Sequence, residues 1–388
     1  MKELLDILNQ AQELRDEGKQ FAIATVVKIG GSTYRRPGAR MLISEDGSKW
    51  GTISGGCLEG EVAQRAMDVI ETGKPVLVPF DLEEDDIVLG FGTGCNGIVH
   101  VLIQPHLENT KPSLLEALNF CISNRRTSVM ATVISAPVES SSILGSHLVL
   151  LDQDEIGPST LPESLYDTLL PTSRQFLREE LNRGQMYLWH THSFETREGE
   201  IEVLFEIVRP PIHLHIFGEG HDVHAVLAQA LLLGWHVSII GRKPVEVLED
   251  RFPHATSAQF LMHPEQVLDL ISPDGRSAAL VMNHTYVRDR DIMQVLLNSS
   301  MPYIGMLGPR ERTEQMLSDL REKNQTPAAE TLGKLFGPVG LDIGTETPEE
   351  IALSAIAEIQ AILHRREGAP LRNRESPIHS TRVPIESI

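Results

Sequence analysis

The sequence predicts an α/β protein: an N-terminal α+β domain over residues 1–210, a C-terminal Rossmann-like domain with a mostly parallel sheet over 211–366, and a tail, 367–388, that stays disordered. Three observations carry this. From His213 onward, short apolar runs alternate with helical patterns, which implies a parallel sheet with helices on its faces. Before that point strand-like runs recur around turn signals such as Asp46-Gly47 and Arg197-Glu198-Gly199. Pro210-Pro211 stiffens the junction, and 388 residues exceed what a single core usually accommodates.

In chain order, Met1–Gln20 reads as an amphipathic helix. Phe21–Ile29, Ala39–Ser44 and Lys49–Ile53 read as strands, with the glycine-rich loops Gly30-Gly31-Ser32 and Ser54-Gly55-Gly56 between and after them. A helix is expected from Cys57 to Glu71, then strands at Pro75–Phe80 and Gly97–Gln104, a helix from Ser113, and a strand at Thr127–Ser135. Residues 136–196 have weak periodicity and yield no organisation, and 185–208 reads as two strands about a turn. In the second half, strands are expected at His213–Phe217, His236–Ile240, Ala278–Met282 and Tyr303–Leu307, with a helix at Val223–Leu233. Thr347-Pro348-Glu349-Glu350 starts the last helix, with Thr as cap, Pro in the first turn and Glu three residues after the cap.

Composition narrows the function. Apolar residues at 41% and charged residues at 23% are those of an ordinary globular protein. With 34 Lys plus Arg against 54 Asp plus Glu, the net charge is -20, which repels nucleic acid. The apolar stretch Ala225–Trp235 is far short of the ~20 residues of a membrane span, and Met1–Gln20 lacks a leader's pattern. Cys57, Cys95 and Cys121 form no disulfide framework or zinc pattern, so a reducing, cytoplasmic compartment is expected.

Two regions could carry chemistry. Ser54-Gly55-Gly56-Cys57 sets a thiol where a helix begins, and the positive end of a helix dipole favours thiolate. Arg35 and Arg36 stand one hairpin upstream and could hold an anion beside it. Cys57, and Cys95 in its own glycine-rich loop, read either as reactive thiols or as small buried residues. In the second half, Gly218-Glu219-Gly220 lies between a strand and a helix, the context of a pyrophosphate-binding turn, or of such a turn without a dinucleotide. Val223 replaces the third glycine of the fingerprint. The next strand ends in Gly241-Arg242-Lys243 where an acid would hold ribose, which admits NADP or another phosphorylated ligand. His221 and His284 lie beyond strand ends. Gly305 and Gly308 precede Arg310 and Arg312 at a further helix start, where an anion could bind or the arginines could be solvated.

These stretches together resemble the xanthine dehydrogenase accessory factor (XdhC/CoxI) family. The resemblance rests on Gly31-Ser32, Arg36-Pro37-Gly38-Ala39 and Ser54-Gly55-Gly56-Cys57-Leu58-Glu59-Gly60 in the first half. In the second it rests on Gly218–His221, Tyr303-Ile304-Gly305 with Leu307-Gly308, Gly337–Gly344 and Thr347–Ala352; residues 107–210 match only loosely. It implies an accessory protein that binds molybdenum cofactor, protects it while a sulfido ligand is installed, and delivers it to a xanthine dehydrogenase-type molybdoenzyme. A cysteine desulfurase is the implied sulfur source and a homodimer the implied assembly. By the same resemblance Cys57 is the residue nearest the metal, with Ser54, Gly55, Gly56, Arg35, Arg36 and Cys95 around the cofactor. Asn96 interrupts the family's glycine run, and Gly241 stands where its Rossmann strand commonly ends in Asp. The competing expectation is an NAD(P)-dependent oxidoreductase built on Gly218-x-Gly220.

Overall fold

The computed structural model describes residues 1–31, 33–81, 97–107, 112–183, 188–197 and 199–375. The chain divides into two compact units, one of Glu3–Pro210 and one of Met1–Lys2 with the residues from Pro211 onward.

The first unit is built from two antiparallel sheets. β1 (Phe21–Gly31), β2 (Arg40–Ser44), β3 (Lys49–Gly51), β4 (Val76–Asp81) and β5 (Gly97–Pro105) lie in the order β3-β2-β1-β5-β4. The central strand β1 is buried at every position from Phe21 to Val27, because both faces of the sheet are covered. Ala22, Ala24 and Val26 pack on Val62, Ala66 and Val69 of α2 (Glu59–Thr72). On the other face Phe21 and Ile23 meet Ile7, Ala11 and Leu14 of α1 (Lys2–Asp16).

The second sheet has the order β8-β7-β6-β10-β9, from β6 (Ser128–Ser135), β7 (His147–Leu151), β8 (Ile156–Ser159), β9 (Trp189–Thr196) and β10 (Gly199–Val208). Val27 and Leu102 of the first sheet pack on Ile134 and Leu204 of the second. Two ion pairs flank this contact: Lys28 Nζ to Glu202 Oε1 at 2.8 Å, and Arg40 Nη2 to Glu206 Oε1 at 2.6 Å. α3 (Leu114–Ser123), begun by a Ser113–Glu116 capping box, contributes Leu118 and Cys121 to the core. α4 (Tyr166–Arg183) covers the outer face with Leu169, Phe176 and Leu177. β7, β8 and α4 fall in the stretch without readable periodicity. β7 is buried at all positions, so its pattern is a continuous apolar run rather than an alternation.

The second unit is a six-stranded parallel sheet, confirming the predicted fold class. Its order is β13-β12-β11-β14-β15-β16, from β11 (His213–Phe217), β12 (His236–Gly241), β13 (Ser257–Phe260), β14 (Ser277–Val281), β15 (Ile304–Met306) and β16 (Leu335–Phe336). The connections include α5 (Val223–Leu232), α6 (Val245–Arg251), α7 (Tyr286–Leu297) and α8 (Arg310–Glu322), and α9 (Pro348–Leu363) packs on α5. The predicted cap of α9 is present: Thr347 Oγ1 accepts the Glu350 amide at 3.3 Å. α7 went unread because Arg288, Asp289 and Arg290 are buried with its apolar residues. Among the described residues no helix is long and apolar enough to cross a membrane. In the expected tail Leu371–Asn373 form a 3-10 turn, and residues 376–388 lie outside the described residues.

Candidate functional site

Strand register gathers the first candidate site at one end of the first sheet. Gly31 pairs with Gly97, Met41 with Gly51, and Asp81 with Ile98. The loop after β1, which carries Arg35 and Arg36, therefore opens at the same rim as the loop after β3, which carries Cys57. Cys95, between Asp81 and Gly97, lies outside the described residues.

The Cys57 loop is shaped by one carboxylate. Glu59 Oε1 accepts the amides of Ile53 (3.2 Å) and Ser54 (2.9 Å), and Ser54 Oγ donates to Glu59 Oε2. The same hydroxyl accepts the amides of Gly56 (3.2 Å) and Leu58 (3.1 Å). Burial pushes the Glu59 pKa up, but the Ser54 hydroxyl and the amide donors outweigh it and hold the carboxyl below its usual range. Gly56, at φ +114°, gives the turn a backbone shape that favours glycine. Among the described residues the amides of Gly55 and Cys57 donate to no acceptor, and the Cys57 side chain is exposed. The helix begins later than its sequence pattern suggested: α2 starts at Glu59 with Leu58 as cap, so Cys57 stands just outside it. The reason is Glu59 itself, which reaches back to the amides of Ile53 and Ser54 rather than continuing a helix upstream.

Arg35 is already engaged. Its guanidinium pairs with Glu3 and donates to Thr52 Oγ1 at 2.5 Å. Arg36 is exposed at the rim.

These thiols should separate under alkylation. Cys121 is buried in the core, and burial pushes its pKa up to about 11. At pH 8 about one Cys121 in a thousand is thiolate. In a Cys95→Ser background, iodoacetamide should label Cys57 and leave Cys121 unmodified until denaturant is added, as read by peptide mass spectrometry.

In the second unit the order of strands reverses between β11 and β14, and the loops there form the second candidate site. Gly218 is a packing glycine: a Cβ there would come 2.7 Å from the carbonyl oxygen of Met282. Glu219 turns to the end of the neighbouring strand, where its Oε2 accepts the amides of Arg242 (2.9 Å) and Lys243 (3.1 Å). A 2'-phosphate aimed at that strand end would meet this carboxylate. Asp222 folds against Gly220, and its Oδ2 is 3.0 Å from Nε2 of His284, which sits at φ +60°. His221 is exposed, with its ring 5.6 Å from that of His224. Gly305 is hemmed in by Leu280 and Val339, whereas Gly308 makes a turn at φ +123°. Arg310 pairs with Glu314 at 2.7 Å along the helix, and Arg312 pairs with the buried Asp289 at 2.8 Å. Both guanidinium groups expected to greet an anion thus already hold carboxylates. Among the described residues no group of three or more His, Cys, Asp or Glu side chains could hold a metal ion.

The XdhC Rossmann domain matches residues 214–359, and the XdhC and CoxI family matches residues 14–81. A Bacillus subtilis (strain 168) protein, described as one of the probable subunits of xanthine dehydrogenase, is 30% identical over 92% of this chain and 95% of its own. The chain belongs to the XdhC and CoxI family. A second family relative, the molybdenum cofactor insertion chaperone PaoD of Escherichia coli (strain K12), is 24% identical over 94% of this chain and 91% of its own. A crystal structure described as a xanthine dehydrogenase from Bacillus halodurans is 25% identical, with a TM-score of 0.70 over 93% of this chain and 96% of that one. Against this family background three residues stand out that sequence reasoning passed over. Glu59 organises the thiol loop, while Glu219 and Asp222 place negative charge at the glycine turn. Glu59 had a signal, an acid just after a Ser-Gly-Gly turn; the other two are told only by where their side chains point.

Proposed function

We propose that this chain binds molybdenum cofactor at the Cys57 rim, shelters it during sulfuration by a cysteine desulfurase, and passes it to a xanthine dehydrogenase-type molybdoenzyme. In this reading the protein is a cytoplasmic homodimer. The observation that carries the proposal is the exposed thiol of Cys57 beside two undirected amides, in a loop already braced by Ser54 and Glu59. The donor set fits such a guest: thiolate suits a soft metal, and amides with the Arg36 guanidinium suit an anionic phosphate. Cys57 would stand nearest the metal, and Gly55, Gly56 and Arg36 would line the approach. Arg35 would hold its loop in place through Glu3. When bound, the cofactor supplies the molybdenum and its dithiolene; the chain supplies the thiol, the amide hydrogens and shelter from water. The names of the relatives, a cofactor insertion chaperone among them, support the reading.

Protein purified from cells that make the cofactor should carry molybdenum and pterin, measured by elemental mass spectrometry and by fluorescence of the oxidised pterin. Cys57→Ala should lower the molybdenum-to-protein ratio about tenfold. An unchanged ratio would remove Cys57 from the mechanism.

A further inference from the structure

Tyr34 is the most exposed aromatic side chain at the rim, at 70%. An ideal Cβ built on Gly55 would lie 3.8 Å from its Cγ and 3.9 Å from both Cδ1 and Cδ2. A point almost equally distant from those three atoms lies over the face of the ring, not at its edge. One face of Tyr34 therefore covers the Gly55 backbone, two residues before Cys57, and most of the remaining ring surface is open to solvent.

The segment carrying the ring is held on both flanks. Thr33 Oγ1 donates to the Arg35 carbonyl at 3.0 Å, and the Arg35 guanidinium is fixed by Glu3 and Thr52. Beyond it, the Ala39 amide donates to the Arg36 carbonyl at 3.1 Å, and the Gly38 amide to the Val26 carbonyl at 2.9 Å. An aromatic plane held out of the core on a braced loop loses apolar burial. It also arrives already ordered for a flat partner, which lowers the entropy cost of binding.

From this geometry we infer that Tyr34 is a stacking platform for the planar heterocyclic end of the guest, a pterin-class ring, with Cys57 and the Gly55 and Cys57 amides facing its metal and anionic end. This rests on the function proposed above. It adds a residue and a division of labour: the ring selects a flat π-system, and the thiol loop receives the charged end.

The test is an equilibrium titration of molybdenum cofactor, released from a purified molybdoenzyme, into the full-length wild type, Tyr34→Phe, Tyr34→Leu, Tyr34→Ala and Cys57→Ala. Affinity and the pterin absorption band are both read. Tyr34→Phe should bind within about twofold of wild type, and the Leu and Ala variants about 5- to 100-fold more weakly. The shift of the pterin band caused by stacking should be present with Tyr or Phe and absent with Leu or Ala. Wild-type affinity and an unaltered band in Tyr34→Ala would overturn the platform while leaving the cofactor-binding proposal standing. A wild type that binds no cofactor would overturn both. Tyr34→Ala that binds normally but changes the oligomeric state in light scattering would assign the ring to a protein contact and also overturn the inference. The exposed position of Tyr34 makes unchanged thermal unfolding the expected control.

Discussion

Glu206→Ala should cost the first unit about 3–5 kcal/mol, because it strands the Arg40 guanidinium between two sheets. Both side chains of this pair are 6% exposed. Arg40 also donates from Nη1 to the Gly38 carbonyl at 2.9 Å, so the pair anchors the end of the loop that carries Arg36. Its desolvation is only partly offset: Arg40 Nε and Glu206 Oε2 have no hydrogen-bond partner. A buried pair of this kind is costly to break and cheap to replace as a whole. Arg40→Leu/Glu206→Leu should therefore recover most of the loss, giving a coupling of about 2 kcal/mol or more in a double-mutant cycle followed by urea unfolding. Additive losses in the double variant would contradict this account. Cofactor retention should fall in the single variants before global unfolding does, since the Gly38 anchor is released first.

The second large effect is acid lability through His147. Its side chain is buried at the end of the first unit away from the rim, beside a cavity of about 290 Å3 lined in part by Gln104, His106, Ser113 and Thr160. Its Nδ1 is 3.2 Å from Thr160 Oγ1, and its Nε2 has no partner. Burial depresses the pKa to about 4, only partly opposed by the Gly145 backbone. The unfolded chain takes up this proton near 6.5, whereas the native state stays neutral down to about 4. The stability is thus fully present above pH 6.5, declines as pH falls toward 4, and is level below that. At 1.36 kcal/mol per pKa unit the decline is about 3 kcal/mol. His147→Leu should flatten the unfolding free energy between pH 7 and 4.5 by most of that amount. An unchanged pH slope would show that the imidazole is protonated in the native state. Glu59 and Glu3, whose pKa values are lowered on balance, add their own losses at lower pH.

The parallel sheet was readable because alternation of strand and helix has a single common structural meaning, and its main strands were located from it. β13 and β16 escaped because Ser257–Phe260 is a half-polar edge strand and Leu335–Phe336 is only two residues long. The rim was readable in composition, since Ser54-Gly55-Gly56-Cys57 is an unusual cluster, but not in its wiring. Arg35 was expected to face a ligand and instead holds Glu3, which is remote in sequence and brought near only by α1 packing on the sheet. Arg312 meets Asp289 for a similar reason, two helices lying side by side. Periodicity reports which face is apolar; it carries no record of which distant charge a long side chain will find.

The position of β1 has a consequence for biosynthesis. One of its edges is filled by β2, made immediately after it, but the other waits for β5, and Lys28 and Arg40 find their carboxylates only on β10. A nascent chain that has emerged only as far as Cys57 can form the hairpin of β2 and β3 but not the finished rim. The thiol loop thus matures with the last strand of its unit, so a ribosome-bound fragment ending before Val208 should be unable to receive cargo.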